Sequence, residues 1–135
     1  DVKKFLNDEI KFGIKNYKTY QEFGKKVYKI RDNVIKNIKK IRMNKGKIIG
    51  YGSPAKATTS LNFFGISNEI DYIIEDNKLK HGKFVPGVRI PIKSKNVLKN
   101  KTNQILVLAW NFFKEIKKNN QNLSKNFISI KDLEK

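Results

Sequence analysis

The segment that most constrains the fold is a glycine turn placed between a strand pattern and a helix pattern. Residues 47–52 form a short β-branched run that ends in glycines, and Pro54 and Ala55 then open a helical pattern that stops at Gly65. Residues 50–55 read Gly-x-Gly-x-x-Ala, the short form of the dinucleotide fingerprint in its required context. Glycines permit a tight turn, and the helix that follows attracts an anion to its N-terminus. The sequence therefore predicts a strand–turn–helix unit that holds an anionic group.

Four further segments have strand patterns, and helical patterns or loops separate them. The strand patterns cover residues 71–75, 89–92, 105–110 and 127–130, with a loop at 78–88, one helical turn at 96–100 and a helix at 112–120. The run 105–110 is apolar throughout, as expected of a central parallel strand that is buried on both faces. Strands that alternate with helices favour a parallel sheet with right-handed crossovers. The sequence therefore predicts a Rossmann-like α/β domain of three layers, with a mostly parallel sheet of about five strands in the order 3-2-1-4-5.

Two helices are predicted ahead of this unit. The first is short and covers residues 2–12. The second is long and is predicted to begin at Thr19, where Thr19 and Glu22 match a capping box. Its apolar residues form one stripe: Tyr20, Phe23, Val27, Ile30, Val34, Ile38 and Ile41. Packing on a sheet or a neighbouring domain explains this stripe, and a coiled coil is the alternative. We expect residues 1–46 to form a helical extension that packs on a Rossmann-like domain of residues 47–135.

The residue types available limit the chemistry of this chain. It has no cysteine and one histidine, His81. Disulfides, thiolate zinc sites, Cys nucleophiles and multi-histidine metal clusters are therefore excluded. The sequence also offers no Ser/His/Asp set and no paired carboxylates with separate acid and base roles. We expect a binding domain with no catalytic residue and no metal site of its own.

Targeting signals are also missing from the sequence. No apolar run approaches the roughly 20 residues of a membrane span, and the N-terminal residues lack the apolar region of a signal peptide. We therefore expect a cytoplasmic protein with no membrane partner. The length of 135 residues suffices for one domain and is too short for two. Because the chain does not begin with methionine, we expect it to be a piece of a larger protein.

The formal net charge of +18 raises the question of a polyanionic partner. Nearly all positive charges are lysines, the exceptions being Arg31, Arg42 and Arg89, whereas base readout and bidentate phosphate binding favour arginine. The lysines are also spread over the whole length. We therefore favour a solvated surface over nucleic-acid binding, with attraction of a phosphorylated ligand as a further alternative.

The predicted strand order places a crevice at the carboxyl ends of the first and fourth strands, because their crossovers lie on opposite faces of the sheet. Candidate ligand-binding residues at these ends are Gly52, Ser53, Trp110 and Asn111, and Glu115 lies one helical turn after Asn111. Each has a structural alternative: the glycine turn serves chain geometry alone, Trp110 belongs to the core or the crevice wall, Asn111 caps its helix, and Glu115 is solvated.

Three further residues are candidates for ligand contact. Lys56 places a cation in the first turn of the helix after the glycine turn. Asp76 follows Gly52 at close to the spacing at which a carboxylate binds a ribose hydroxyl. His81 lies in a Lys- and Gly-rich loop, where a lone histidine is either solvated or in contact with a ligand.

Four separate blocks form a more specific pattern than the glycine turn alone. The blocks are Gly50-Tyr51-Gly52-Ser53-Pro54-Ala55-Lys56 with Leu61-Asn62, Lys80-His81-Gly82-Lys83 with Pro86-Gly87, Ile90-Pro91-Ile92, and Leu108-Ala109-Trp110-Asn111 with Glu115-Ile116. In order and spacing they resemble the C-terminal domain of S-adenosylmethionine-dependent sugar C-methyltransferases. The resemblance covers nearly the whole chain. It departs from the family pattern at His81, where glutamine or a similar residue is usual.

The resemblance implies a parent enzyme with an N-terminal zinc-binding segment, a central methyltransferase domain and this Rossmann-like C-terminal domain. It implies that the central domain binds S-adenosylmethionine and supplies the catalytic base, so that this domain binds no cofactor itself. The implied reaction is abstraction of a proton next to a sugar ketone, followed by attack of the enolate on the methyl group of the donor. The C-terminal domain is implied to help hold the nucleotide-diphosphate keto sugar.

Within this domain we expect Ser53, Lys56 and the amides of the turn to face the diphosphate of that sugar. The full set of predicted substrate contacts is Gly50, Tyr51, Gly52, Ser53, Lys56, Lys80, His81, Trp110, Asn111 and Glu115, with Asp76 as a candidate ribose contact. One alternative is a stand-alone NAD(P)-type dinucleotide-binding module, and another is a basic nucleic-acid-binding domain.

Overall fold

The computed structural model describes residues 1–98 and 104–135 and has an α/β fold. The helices are α1 (Val2–Phe12), α2 (Tyr17–Lys45), α3 (Ala55–Phe64) and α4 (Phe113–Asn119). The strands are β1 (Ile48–Tyr51), β2 (Tyr72–Ile74), β3 (Ile92–Lys93), β4 (Gln104–Val107) and β5 (Asn126–Ser129). Short 3₁₀ helices cover Lys78–Lys80, Lys95–Val97, Trp110–Phe112 and Ile130–Glu134.

The five strands form one parallel sheet in the order β3-β2-β1-β4-β5. In the central strand β1, Ile49 lies opposite Tyr72 of β2 on one side and Ile105 of β4 on the other. All residues of β1 and β4 are buried. The predicted α/β class, the parallel sheet and the strand order are confirmed.

Helices cover both faces of the sheet, because alternate side chains of a strand point to opposite faces. On one face, Ile48 packs in a core that includes Val34 and Ile38 of α2, residues of α3 and the C-terminal 3₁₀ helix. On the other face, Ile49 packs in a core with β4 residues, against which Phe113 of α4 lies. The result is the predicted arrangement of three layers.

The second half of α2 is tied firmly to the sheet and to the C-terminal segment. Arg42 forms an ion pair with Asp71, whose carboxylate also accepts a hydrogen bond from the Ile48 amide at 3.1 Å. The Asn33 and Asn37 amides donate to backbone carbonyls of residues 133–135, each at 3.0 Å. This half of the helix is therefore part of the domain core.

The start of α2 differs from the prediction. The helix begins at Tyr17, and the side chain of Asn16 caps it by accepting a hydrogen bond from the Lys18 amide at 3.0 Å. Thr19 and Glu22 therefore lie inside the helix, and the predicted capping box is wrong. Asn is as good an N-cap as Thr, and its position two residues before Lys18 lets its side chain accept a hydrogen bond from an amide of the first helical turn.

Two predicted strands end elsewhere than expected. The strand predicted at 105–110 is β4, which ends at Val107, because the chain turns into a 3₁₀ helix at Trp110. The strand predicted at 89–92 is β3, which is limited to Ile92–Lys93. Arg89 cannot belong to it, since its backbone is left-handed with a φ of 57°.

Two other predicted segments differ less. The last strand begins at Asn126 and ends at Ser129, which caps the C-terminal 3₁₀ helix. A 3₁₀ turn covers Lys95–Val97, near the turn predicted at 96–100, of which residues 99 and 100 lie outside the described residues. In the part of the chain that the structure describes, no helix combines the length and apolar character needed to cross a membrane.

Candidate functional site

A crevice of about 540 Å³ opens at the carboxyl edge of the sheet, between the ends of β1 and β4. The predicted topology places a crevice at this edge. Its lining residues come from the glycine turn, from the segment after β2, and from the segment that leads into α4. They are Tyr51, Gly52, Ser53, Pro54, Glu75, Asp76, Lys80, Lys95, Ala109, Phe112, Glu115, Ile116, Asn119 and Asn120.

The glycine turn brings the ends of β1, β2 and β4 close together. Gly52 has a φ of 81°, and its amide donates to the Ile74 carbonyl at 2.9 Å. A Cβ at this position would lie 3.1 Å from the Cβ of Ala109. At Gly50, a Cβ would lie 2.7 Å from Ile73 in the sheet. Both glycines are therefore required by chain packing, whatever the crevice binds.

The donors of the turn are occupied by a side chain of the protein itself. The amide and the hydroxyl of Ser53 both donate to Glu75 Oε2, at 2.8 and 2.6 Å. The Asn77 amide donates to Glu75 Oε1 at 3.1 Å, and Lys80 Nζ lies 3.7 Å from the same carboxylate. Burial alone would raise the pKa of Glu75, but the hydrogen bonds from Ser53 and Asn77 and the charge of Lys80 hold that pKa below its ordinary value. Glu75 is thus an anion held where a ligand phosphate was expected.

A second carboxylate is fixed beside the first. The buried Tyr51 donates its hydroxyl to Asp76 Oδ2 at 2.7 Å, and the same hydroxyl lies 3.3 Å from Asn120 Oδ1. Lys95 Nζ lies 2.9 Å from Asp76 Oδ1. Burial raises the pKa of Asp76, but Tyr51 and Lys95 together outweigh it and leave the pKa lowered. Burial and the neighbouring Asp76 also raise the pKa of Tyr51, so its hydroxyl stays a donor.

The α4 side of the crevice contributes amide and carboxylate groups. Glu115, Asn119 and Asn120 line it, and the Asn120 amide donates to the Ile116 carbonyl at 2.8 Å. Asn111 is exposed within the Trp110–Phe112 3₁₀ helix and does not cap α4, whose N-cap residue is Phe112.

Trp110 and Lys56 lie together outside the lining of the crevice. The ammonium of Lys56 is 4.4 Å from the centre of the Trp110 ring, and that of Lys131 is 5.5 Å from it. These are cation–π distances. Lys56 therefore contacts an aromatic ring in the domain.

His81 also lies outside the lining and contacts the backbone. Its Nε2 is 2.7 Å from the Glu75 carbonyl oxygen. Lys80, the residue before it, donates to the Ser53 carbonyl at 2.8 Å. Lys80 thus holds the loop that follows β2 against the glycine turn, and His81 holds it against the residue that directly follows β2.

The structure therefore brings together part of the predicted set. The predicted residues in the lining are Tyr51, Gly52, Ser53, Lys80, Glu115 and Asp76, and those outside it are Gly50, Lys56, His81, Trp110 and Asn111. Sequence reasoning missed Glu75, Lys95, Asn119 and Asn120. A signal for Glu75 was available, because it is the last residue of the predicted second strand and so lies at the carboxyl edge.

Parts of two blocks of the sequence pattern, Asn62 and Pro86-Gly87, are explained by packing away from the crevice. The Asn62 side chain donates to the Pro86 carbonyl at 2.9 Å, and a Cβ at Gly87 would overlap the Asn62 amide.

Among residues 1–98 and 104–135, no group of three or more His, Cys, Asp or Glu side chains is placed to hold a metal ion.

Comparison with known proteins gives two matches. The family model described as C-methyltransferase C-terminal domain matches residues 1–129. The C-methyltransferase NovU of Streptomyces niveus is 31% identical over 127 residues, which are 93% of this chain and 30% of NovU. The chain thus spans less than a third of the length of this relative.

Proposed function

Since the chain belongs to the C-methyltransferase C-terminal domain family, we propose that it is the substrate-binding domain of an enzyme that methylates a carbon of a nucleotide-linked keto sugar. The methyl donor in this proposal is S-adenosylmethionine, and another region of the enzyme binds it. That region is the partner of this domain within the same protein. Residues 47–135 form the sugar-binding unit, residues 1–46 form its helical extension, and the enzyme is cytoplasmic.

The observation that carries the proposal is the polar lining of the crevice at the carboxyl edge of the sheet. Three carboxylates, Glu75, Asp76 and Glu115, and two lysines, Lys80 and Lys95, line it. Sugar and ribose hydroxyls are hydrogen-bond donors that carboxylates accept well, and charged partners make these bonds stronger. We propose that hydroxyl groups of the ligand bind Glu75, Asp76 and Glu115.

The diphosphate takes a different place from the one expected from the sequence. The donors of Ser53 serve Glu75, and Lys56 lies on Trp110. Lys80 and Lys95 are the cations of the lining. We propose that they contact the diphosphate, with the rest of the enzyme supplying further contacts.

Ser53 of the glycine turn is not free to bind the methyl donor, S-adenosylmethionine. The carboxylate of that donor needs free N–H or O–H groups, and Ser53 gives both of its donors to Glu75. The same hydrogen bonds occupy Ser53, so that its donors do not serve the pyrophosphate of the NAD(P)-type alternative. Pro54 has no backbone N–H and so adds no donor to the turn.

Binding of a dTDP-linked keto sugar to the enzyme that carries this domain tests the proposal. Asp76→Asn and Glu115→Gln each remove a charged acceptor and should weaken binding about tenfold, measured by calorimetry. Asp32→Asn, on the exposed surface of α2, is the matched control and should bind as wild type does. Unchanged affinity in both crevice variants would refute the assignment of the crevice.

A further inference from the structure

A second surface of the molecule is apolar and uncovered. This surface, the helical face, consists of Phe5, Leu6, Ile10 and Phe12 of α1 and Tyr20 and Phe23 of α2. The exposed fractions of these side chains range from 51% at Leu6 to 73% at Phe12. Phe12, Tyr20 and Phe23 also line a groove of about 500 Å³ between the two helices. Exposed apolar patches of this kind mark surfaces that bind another molecule.

The helical face is held in a defined geometry, although it is uncovered. Gly13 ends α1 with a φ of 79°, and its amide donates to the Glu9 and Ile10 carbonyls. The Tyr20 hydroxyl then donates to the Ile14 carbonyl at 2.6 Å. The two helices are thus joined by a turn with its own hydrogen bonds.

The stability of α1 requires a surface to pack on. None of residues 2–12, all of which the structure describes, is buried, and none of residues 17–30 is buried either. Isolated helices shorter than about 12–15 residues are marginal in water. A helix of 11 residues with no buried side chain therefore needs a partner that covers its apolar side.

We infer that the helical face packs on the methyltransferase region of the parent enzyme. The family match covers residues 1–129, so α1 and α2 lie within the matched C-terminal domain. The match covers only 30% of NovU, so most of that relative is chain that lies outside it. The inference rests on the proposed function in one respect: both take this domain as part of a larger methyltransferase.

The charge of the molecule argues against a second copy as the occupant. Each copy carries a formal net charge of +18, and like charges of this size repel two copies as they approach. A lysine, Lys26, and a carboxylate, Glu22, border the groove. We therefore expect the covering surface to have an apolar centre, with an acidic group opposite Lys26 and a basic group opposite Glu22.

Hydrogen exchange tests this inference without any ligand, so that its failure is separate from a failure of sugar binding. The 135-residue chain is compared with the same chain joined to its methyltransferase region. Amides of residues 5–12 and 17–28 should exchange at least about tenfold more slowly in the longer protein, because docking suppresses local opening. Amides of β1 should exchange equally in both. Equal exchange of the helical segments would overturn the inference, as would the finding that no such region precedes the domain.

A variant with Phe5→Ser and Phe23→Ser should lose that protection while β1 keeps its own, which shows that the domain remains folded. Met43→Ser is the matched control, because Met43 is 86% exposed in the second half of α2. Two further results would overturn the inference. One is dimerisation of the 135-residue chain in sedimentation that protects the helical face. The other is flotation of the chain with phosphatidylglycerol vesicles that depends on Phe5 and Phe23.

Discussion

At the scale of single residues, the crevice is organised by carboxylates that the protein satisfies itself. Glu75 receives the amide and hydroxyl of Ser53, and Asp76 receives the hydroxyl of Tyr51 and the ammonium of Lys95. Both carboxylates have lowered pKa values. They are therefore anions at neutral pH, and they offer a ligand hydrogen-bond acceptors in the lining of the crevice.

Glu75→Gln should lower the free energy of unfolding by about 1–2 kcal/mol, because an amide replaces a charged acceptor of three hydrogen bonds. The pKa of Glu75 is lowered in the folded state from 4.5, so its contribution is present above that pH and is lost as pH falls through the lower, folded-state value. Urea unfolding of both proteins at pH 7 and pH 3 measures this. The difference between them should be full at pH 7 and smaller at pH 3. Glu22→Gln, at an exposed position, is the control; a constant difference at both pH values would contradict the role of the Glu75 charge.

Gly52 gives a second prediction at this scale. Gly52→Ala should destabilise the domain by about 1–2 kcal/mol, because alanine at positive φ is strained. The new Cβ would also lie 3.1 Å from that of Ala109. Gly24→Ala is the matched control: a Cβ there meets no heavy atom of the described chain within 4 Å, and the change should stabilise α2 by about 0.5–1 kcal/mol. Thermal unfolding compares the two, and equal stability of both variants would count against the steric account of the turn.

At the scale of elements, α2 has two halves with different environments. The second half is fixed by the Arg42–Asp71 ion pair and by buried Val34 and Ile38, whereas the first half carries exposed aromatic residues such as Phe23. One helix thus joins the core of this domain to the helical face.

Asp71→Asn should weaken the attachment of α2 by about 1–3 kcal/mol, because it removes the charge that Arg42 and the Ile48 amide share. Burial raises the pKa of Asp71, but the hydrogen bond and charge of Arg42 outweigh burial and leave that pKa lowered. The contribution of the Asp71 carboxylate to stability is therefore lost when acid protonates it. Denaturant unfolding at pH 7 measures the loss. Asp32→Asn removes an exposed pair with Arg31 and should change stability by less than about 0.5 kcal/mol. A larger loss of stability from the Asp32 variant than from the Asp71 variant would show that the Arg42–Asp71 ion pair does not stabilise the attachment of α2.

The sheet could be predicted from the sequence because its signals are local. A β-branched run before the glycines predicts one strand, and the apolar run at 105–110 predicts a strand that is buried on both faces. The start of α2 was predicted less well, because Asn16 and Thr19 are both acceptable caps and the sequence pattern does not decide between them.

The crevice was predicted in position but only partly in its residues. The prediction treated the hydrogen-bond donors of the turn as free for a ligand. In the structure, the carboxylate of Glu75, which directly follows β2, accepts both hydrogen bonds that Ser53 donates. In the same way, Lys56 follows the turn in sequence, but its ammonium lies over Trp110. Contacts between distant segments decided both outcomes: the predicted strand end places Glu75 at this edge but does not reveal its hydrogen bonds to Ser53, and no spacing places Lys56 over Trp110.

At the scale of the whole molecule, the chain belongs to the C-methyltransferase C-terminal domain family, and we propose a different partner for each of its two surfaces. We propose a sugar nucleotide as the ligand of the crevice and the rest of the enzyme as the partner of the helical face. The net charge of +18 would add long-range attraction for a phosphorylated substrate. That attraction should weaken with salt, since the screening length falls to about 8 Å at physiological ionic strength.

The most direct test of the central claim is a crystal structure of the enzyme with a dTDP-linked keto sugar bound. The distances from ligand hydroxyl oxygens to the carboxylates of Glu75, Asp76 and Glu115 are the quantities to measure. We predict that at least one of these distances is within about 3.0 Å, the range of a hydrogen bond between two oxygens, and that Ser53 still donates to Glu75. A sugar nucleotide bound outside the crevice, or a phosphate that replaces Glu75 on Ser53, would contradict the account.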